Sequence, residues 1–192
     1  GAENANIRIG DTVVVFAQGP IGLCATAGAR LLGATTIIAV DGNDHRLGIA
    51  QKMGADVTLN FKNCDVIDEI MKITGGRGAD SAIEALGTQA TFESALRSIK
   101  PGGTLSSLGV YSEDLKIPLS AFAAGLGDHK INTALCPGGK ERMRRLMNVL
   151  ASNRLDLGLL VTHQYKLDDI VAAYDLFAHQ RDGVLKVAIK PF

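Results

Sequence analysis

Short, nearly continuous runs of β-branched and aliphatic residues alternate along the chain with longer segments whose apolar positions recur at helical spacing, and the first four runs start about 22 residues apart. The runs predict strands over 12–17 (TVVVFA), 35–40 (TTIIAV), 56–60 (DVTLN), 79–85 (ADSAIEA), 103–109 (GTLSSLG) and 130–135 (KINTAL). The segments between them predict helices over 20–32, 44–53, 64–73 and 88–98, several of which stop at a glycine: Gly33, Gly54 and Gly75. Strands that lack polar alternation have both faces covered. Strands joined by helices pair in parallel through right-handed crossovers. The pattern therefore predicts an α/β fold, a doubly wound, mostly parallel six-stranded sheet of the Rossmann type with helices on both faces.

After Pro137-Gly138-Gly139 the pattern changes. A longer helix carries Met143, Leu146, Met147 and Leu150 on one stripe, with Lys140, Arg144 and Arg145 off it as a solvated face. A second helix near 167–179 has Ile170, Val171, Tyr174 and Phe177 at helical spacing, and a strand-like run from Val184 to Ile189 closes the chain. Residues 1–137 thus read as the doubly wound domain and 138–192 as a helical and strand extension, with no low-complexity linker between them.

A chain of 192 residues is enough for one large domain, or one domain with an appendage. Its 20 Lys and Arg balance its 20 Asp and Glu, so no global field favours nucleic acid or an anionic membrane surface, and small molecules or other protein chains are the expected partners. The 18 uncharged residues between Asp11 and Arg30 are long enough for a membrane span, but Gln18, Gly19, Pro20 and Gly22 at the middle argue against one. The start, Gly1-Ala2-Glu3-Asn4, shows no signal-peptide pattern. Cys24, Cys64 and Cys136 lie far apart with no C-x-x-C pair, which argues against a disulfide framework or a cysteine-clustered zinc site. A reducing cytoplasm is the expected setting, and each cysteine reads as a small buried hydrophobe.

The stretch "VVVFAQGPIG" at 13–22 holds the candidate chemistry. In a dinucleotide fold the first strand ends in a tight turn, and the next helix points its free N–H groups and positive dipole end at the pyrophosphate. Of the three glycines in G-x-G-x-x-G, the first permits the turn, the second lets phosphate approach the backbone, and the third allows close helix–strand packing. Gly19 and Gly22 occupy the second and third places, and Ala17 the first, where it suits a turn whose first residue is still extended. Pro20 sits where a first helical turn accepts proline, and Ala25, Gly28 and Ala29 keep the helix face small. Asp41 ends the second strand 22 residues after Gly19, the place of an acid that binds the adenosine ribose hydroxyls; its other reading is a helix cap or turn residue. A carboxylate about 4 Å from a 2′-phosphate would cost roughly 1 kcal/mol in water-like surroundings and about 4 kcal/mol at intermediate dielectric, so NAD is favoured over NADP. Gly42-Asn43 supplies no arginine for that phosphate, while Arg46 is placed to reach back over the adenine or to remain solvated.

The pattern Ile7-Gly10-Asp11-Val13-Val14-Val15 into Gly19-Pro20-Ile21-Gly22-Leu23, then Ala29-Leu32-Gly33-Ala34, resembles the cofactor half of zinc-dependent medium-chain alcohol dehydrogenases. "GAENA" at 1–5, "GADVTLNFKN" at 54–63, "KPGGTLS" at 100–106, "LCPGGKERMRRL" at 135–146 and "LVTHQY" at 160–165 resemble the microbial secondary alcohol dehydrogenases in particular, and the likeness covers nearly the whole chain. The resemblance implies that the backbone around Gln18, Gly19, Pro20 and Ile21 holds the pyrophosphate of NAD(H), and that Asp41 to Asn43 face the ribose. It places Phe61 beside the adenine, with Leu108, Gly109 and Val110 at the nicotinamide end and Ala85 to Gly87 as neighbours. NADP-using relatives carry Gly-Ser-Arg at the positions of Asp41, Gly42 and Asn43. In that family a preceding domain supplies the catalytic zinc ligands, the proton relay and most of the substrate pocket, and this chain is expected to start after it. His45, His129, His163 and His179 show no metal-ligand spacing and read as surface or packing residues. Residues 138–192 are implied to return to the preceding domain, and the edge strand 131–135 to pair with a second copy.

The expectation is an NAD-binding domain of a secondary alcohol dehydrogenase or ketone reductase, inactive by itself toward alcohols. Three other readings stay open: a zinc-free quinone reductase of the same superfamily, a non-catalytic NAD-sensing or assembly module, and a methyltransferase. The last usually wants an acid just before its glycine loop, where this chain has Phe16.

Overall fold

Four consecutive apolar residues, Val13 to Phe16, fill the first strand, β1 (Thr12–Phe16), and all four are buried. A strand with no solvent face must lie inside a sheet covered on both sides. The computed structural model, which describes residues 1–192, shows that arrangement. The chain divides into two compact units, Gly1–Pro137 and Gly138–Phe192.

In the first unit β1 is followed by α1 (Pro20–Leu31), β2 (Thr36–Asp41), α2 (Asp44–Lys52), β3 (Val57–Asn60), α3 (Val66–Ile73), β4 (Ala79–Glu84), α4 (Gln89–Ser98), β5 (Ile99–Ser107) and β6 (Lys130–Thr133). All five strand pairings are parallel, and the order across the sheet is β3-β2-β1-β4-β5-β6. The order reverses between β1 and β4, so a crevice opens there beyond the carboxyl ends of the strands.

Side chains alternate between the two faces. Val14, Phe16, Ile38, Val40, Ala82 and Leu105 pack with Ile70 of α3 and Phe92, Ala95 and Leu96 of α4. The alternate positions Val13, Val15, Ile37, Ala39 and Ile83 point to the other face and are equally buried. Each full burial of a Val, Leu or Ile side chain is worth about 1.5–3 kcal/mol, so burial on both faces holds β1, β2 and β4 inside the sheet.

Gly33, Gly54 and Gly75 lie just beyond α1, α2 and α3 at positive φ, as the sequence pattern expects. Three of the crossover helices are capped by side chains: Asn43 accepts from the His45 and Arg46 amides, Asp65 from the Asp68 amide, and Thr88 forms a capping box with Thr91. The first has no side-chain cap, and its N-cap is Gly19.

Two strands differ from the sequence expectation. β5 begins at Ile99 instead of 103, because Ile99 pairs with Ala79 before a register shift around Pro101-Gly102, and the ladder resumes at Ser81 beside Thr104. β6 ends at Thr133 instead of 135, since Thr133 pairs with Ser107, the last residue of β5. The cysteines also differ: Cys24 and Cys136 are exposed and Cys64 half-buried. Cys24 lies on the outward side of α1, and the other two lie in loops.

The second unit contains α5 (Lys140–Ala151), β7 (Val161–Lys166), α6 (Ile170–Ala178) and β8 (Lys186–Lys190), with β7 and β8 paired in parallel. Leu160, Ala173, Leu176, Val184 and Leu185 are its buried residues. No residue of α5 is buried, and its Met143, Leu146 and Met147 are exposed. β7 is a strand the hydropathy pattern did not assign. No helix is long and apolar enough to cross a membrane.

Candidate functional site

At the end of β1 the chain turns sharply. Ala17 continues the ladder by donating its N–H to the Val40 carbonyl and adopts φ +69°, a left-handed conformation. The expectation of an extended Ala17 is therefore wrong: the residue in the first glycine's place has the backbone a glycine would adopt. An L-residue pays roughly 1 kcal/mol for that.

The next residue fixes the turn. Gln18 is 0% exposed. Its side-chain amide donates to the Val15 carbonyl at 2.9 Å and accepts from the Thr26 hydroxyl at 3.0 Å. Its backbone N–H donates to Asp41 Oδ2 at 2.6 Å. Its side chain therefore faces inward, and its N–H is already committed.

Gly19 and Gly22 differ in what surrounds them. Nothing lies within 4 Å of a Cβ built on Gly19, whereas a Cβ on Gly22 would meet the Ala17 carbonyl oxygen at 1.7 Å. Gly22 thus permits α1 to start close against the turn, and Gly19 leaves its approach open. The N–H groups of Gly19, Ile21 and Gly22 make no hydrogen bond within the chain, and Pro20 has none to offer. An uncapped helix start with open space before it is a place where an anion gains N–H partners and favourable dipole energy. Gly28, expected against the sheet, instead meets Ala2 of the N-terminal segment, at 3.0 Å from an added Cβ.

Asp41 ends β2 beside this turn and is buried. Besides the Gln18 N–H, it takes the Asn43 N–H on Oδ1 at 2.9 Å. Asn43, read from sequence as facing the ribose, uses its side chain to cap α2. Arg46 is half-buried in the first turn of that helix. Phe61 is 58% exposed, and its ring lies over Gly42, where an added Cβ would stand 2.5 Å from Cζ. The residues named from the sequence at the ends of β1, β2 and β3 are thus neighbours.

Leu108, Gly109 and Val110 follow β5, on the other side of the switch point. Leu108 donates its N–H to the Glu84 carbonyl at 2.8 Å, and Val110 is exposed. Behind them lies a group that the sequence reading missed. Glu84, at the end of β4, is 0% exposed. Its Oε1 accepts from the Leu86 and Gly87 amides, each at 2.8 Å, and from the Thr91 hydroxyl at 2.7 Å, and its Oε2 accepts from the Tyr111 hydroxyl at 2.8 Å. Tyr111 also meets Ser107 Oγ at 2.6 Å and packs edge-on against Phe92. Burial raises the Tyr111 phenol pKa well above its ordinary value; the Ser107 contact opposes this, and Glu84 adds to it as acceptor and as charge. The available signal was the acid that closes the strand, in "SAIEA".

A hollow of about 430 Å³ between α2 and β3 is lined by Asp44, Leu47, Gln51, Asn60 and Cys64 among others, and none of the sequence-derived site residues lines it. No three His, Cys, Asp or Glu side chains come together where they could hold a metal ion. His129 packs against Phe122, His163 meets the Thr162 hydroxyl, and His45 and His179 are exposed.

A parallel sheet in this order, with a glycine turn and an acid at its switch point, has the architecture of the dinucleotide-binding class. Residues 20–152 match the family model described as zinc-binding dehydrogenase, and the chain belongs to that family. It is 85% identical over 191 residues to an alcohol dehydrogenase of Cupriavidus necator, covering 100% of this chain and 52% of that protein. It is 37% identical over 193 residues to an NADP-dependent isopropanol dehydrogenase of Entamoeba histolytica, covering 99% of this chain and 53% of that one. Among solved structures, zinc dependent alcohol dehydrogenase 2 from Streptococcus pneumonia, in its apo form, superimposes with a TM-score of 0.91 at 31% identity, over 99% of this chain and 54% of its own. The chain spans about half the length of the curated relatives it matches.

Proposed function

We propose that this chain is the NAD(H)-binding part of a zinc-dependent secondary alcohol dehydrogenase or ketone reductase. The observation that carries the reading is the uncapped start of α1: three unbonded N–H groups and open space over Gly19 stand beside an acid held at the end of β2. The pyrophosphate would rest on the N–H groups of Gly19, Ile21 and Gly22, with Gln18 bracing the turn from beneath. Asp41 would accept from the adenosine ribose, the exposed ring of Phe61 would flank the adenine with Arg46 beyond it, and Leu108, Gly109 and Val110 would border the nicotinamide. A nicotinamide cofactor held by these residues would supply hydride transfer to or from an alcohol or ketone. The chain's own residues bind and orient it; the zinc, the proton relay and the alcohol pocket belong to residues outside these 192. Residues 138–192 are read as the segment that completes that other domain.

Asp41 sets the proposed preference for NAD, although the Entamoeba relative is named for NADP. That preference rests on charge: a carboxylate beside a 2′-phosphate is repulsive by roughly 1–4 kcal/mol per unit charge, which for a phosphate carrying nearly two charges is about tenfold and upward in affinity. Titration calorimetry of the 192-residue chain with NADH and NADPH is expected to show NADH binding at least about tenfold more tightly. Binding of neither, or tighter NADPH, overturns the role given to Asp41. Because Asp41 also holds the Gln18 and Asn43 amides, Asp41→Gly is expected to weaken NADH about tenfold without bringing NADPH to the wild-type NADH affinity.

A further inference from the structure

We propose that Glu84 and Tyr111 form a clasp that sets the nicotinamide end of the cleft, with Glu84 a positioning residue that touches no ligand itself. The inference rests on the dinucleotide reading above and adds the residues that shape one end of that site.

Two segments border the switch point on its β4 and β5 side: the turn Ala85–Thr88 and the turn Leu108–Tyr111. One carboxylate holds both. From the first it takes the Leu86 and Gly87 amides, from the start of α4 the Thr91 hydroxyl, and from the second the Tyr111 hydroxyl. All four donors are neutral. A buried carboxylate is tolerated when its oxygens are filled in this way, and removing a donor leaves the carboxylate short of a partner.

The backbone shows how tightly the two turns are drawn together. A Cβ on Gly87 would meet the Val110 carbonyl oxygen at 2.5 Å, and a Cβ on Gly109 would meet Gly87 Cα at 2.2 Å and Glu84 Oε2 at 2.5 Å. The turns touch backbone to backbone, with Glu84 behind them and Val110 exposed in front. Releasing the carboxylate frees the edge along which the nicotinamide would lie, while the pyrophosphate turn, held by Gln18, Thr26 and Asp41, keeps its own bonds.

The test compares NADH with ADP-ribose, which has the adenosine and pyrophosphate but no nicotinamide, by calorimetry on the wild-type chain, Glu84→Gln and Tyr111→Phe. Glu84→Gln keeps the volume and removes the charge; Tyr111→Phe removes one hydroxyl, keeps the ring against Phe92, and gives the same reading should the first variant not fold. Both variants are expected to weaken NADH by about fivefold or more while ADP-ribose stays within about twofold of wild type. Equal weakening of both ligands, or no change in either, overturns the clasp. A wild-type chain that binds ADP-ribose and NADH and variants that fail this split reject the clasp alone; a wild type that binds neither rejects the dinucleotide reading and the clasp with it.

Discussion

Asp41 holds the Gln18 and Asn43 amides at once, so its carboxylate ties the turn after β1 to the start of α2. That bond accounts for a backbone the motif alone does not explain. Ala17 is pulled into the left-handed region because Gln18, next in the chain, must bury its side chain and still aim its N–H at Asp41. The strain gives a prediction at this scale. Ala→Gly in ordinary backbone costs about 0.5–1 kcal/mol. Ala17→Gly is expected to be neutral or stabilising by up to about 1 kcal/mol in urea denaturation, since glycine takes this φ without strain. A loss of the ordinary size would mean that Ala17 is not strained in solution. Asp41 was legible from its distance to Gly19, whereas the buried side chain of Gln18 was not, because nothing in "AQG" says which way an amide points.

Strand β4 carries an acid near each end, and the two have different surroundings. Asp80, at its start, accepts the Thr12 amide at 2.7 Å and pairs with the Lys100 ammonium, so it joins the first residues of β1, β4 and β5 at the edge opposite the cleft. Burial alone would raise its carboxyl pKa, but the Lys100 and Thr12 hydrogen bonds and nearby positive charge outweigh that and lower it below its ordinary value of 3.8. A carboxyl whose folded-state pKa is lowered contributes stability that is present above the unfolded value and is lost as the pH falls through the folded one. Thermal unfolding followed downward in pH is therefore expected to show a loss on passing 3.8 that is smaller in Asp80→Asn. Identical acid limbs for the two proteins would remove Asp80 from the account. Helices were legible at this scale because their glycine stops and cap residues are local chemistry. The early start of β5 was not, since Ile99 joins the sheet only through Ala79, twenty positions away.

For the whole molecule, the strand order leaves β6 at one edge of the sheet with neighbours only in β5. We propose that a second copy pairs there, as the resemblance implies. Leu135 just beyond it is exposed. Light scattering is expected to give the mass of a dimer or larger assembly for the chain, and a shift toward monomer for Leu135→Lys. A monomeric wild type would reject the edge as a self-association site; an assembly whose size responds to NADH would instead favour the sensing module over a cofactor domain.

Much was decided by the sequence alone. The repeated apolar runs dictated a parallel sheet with both faces covered, because burial of such runs leaves no solvent face, and the spacing of Gly19, Gly22 and Asp41 located the end of the sheet where the candidate site lies. Only the tertiary structure decided which side chains face the cleft and which support it from behind. The side chains of Gln18 and Asn43 are spent within the protein, and Ala17 is bent into a glycine's conformation. Glu84 gathers donors from residues 86 to 111, and Cys24 and Cys136 lie outside the core. The physical reason is the same in each case: a polar group takes its partner from whatever the fold brings within about 3 Å, and that proximity is set by strand order, not by distance along the chain.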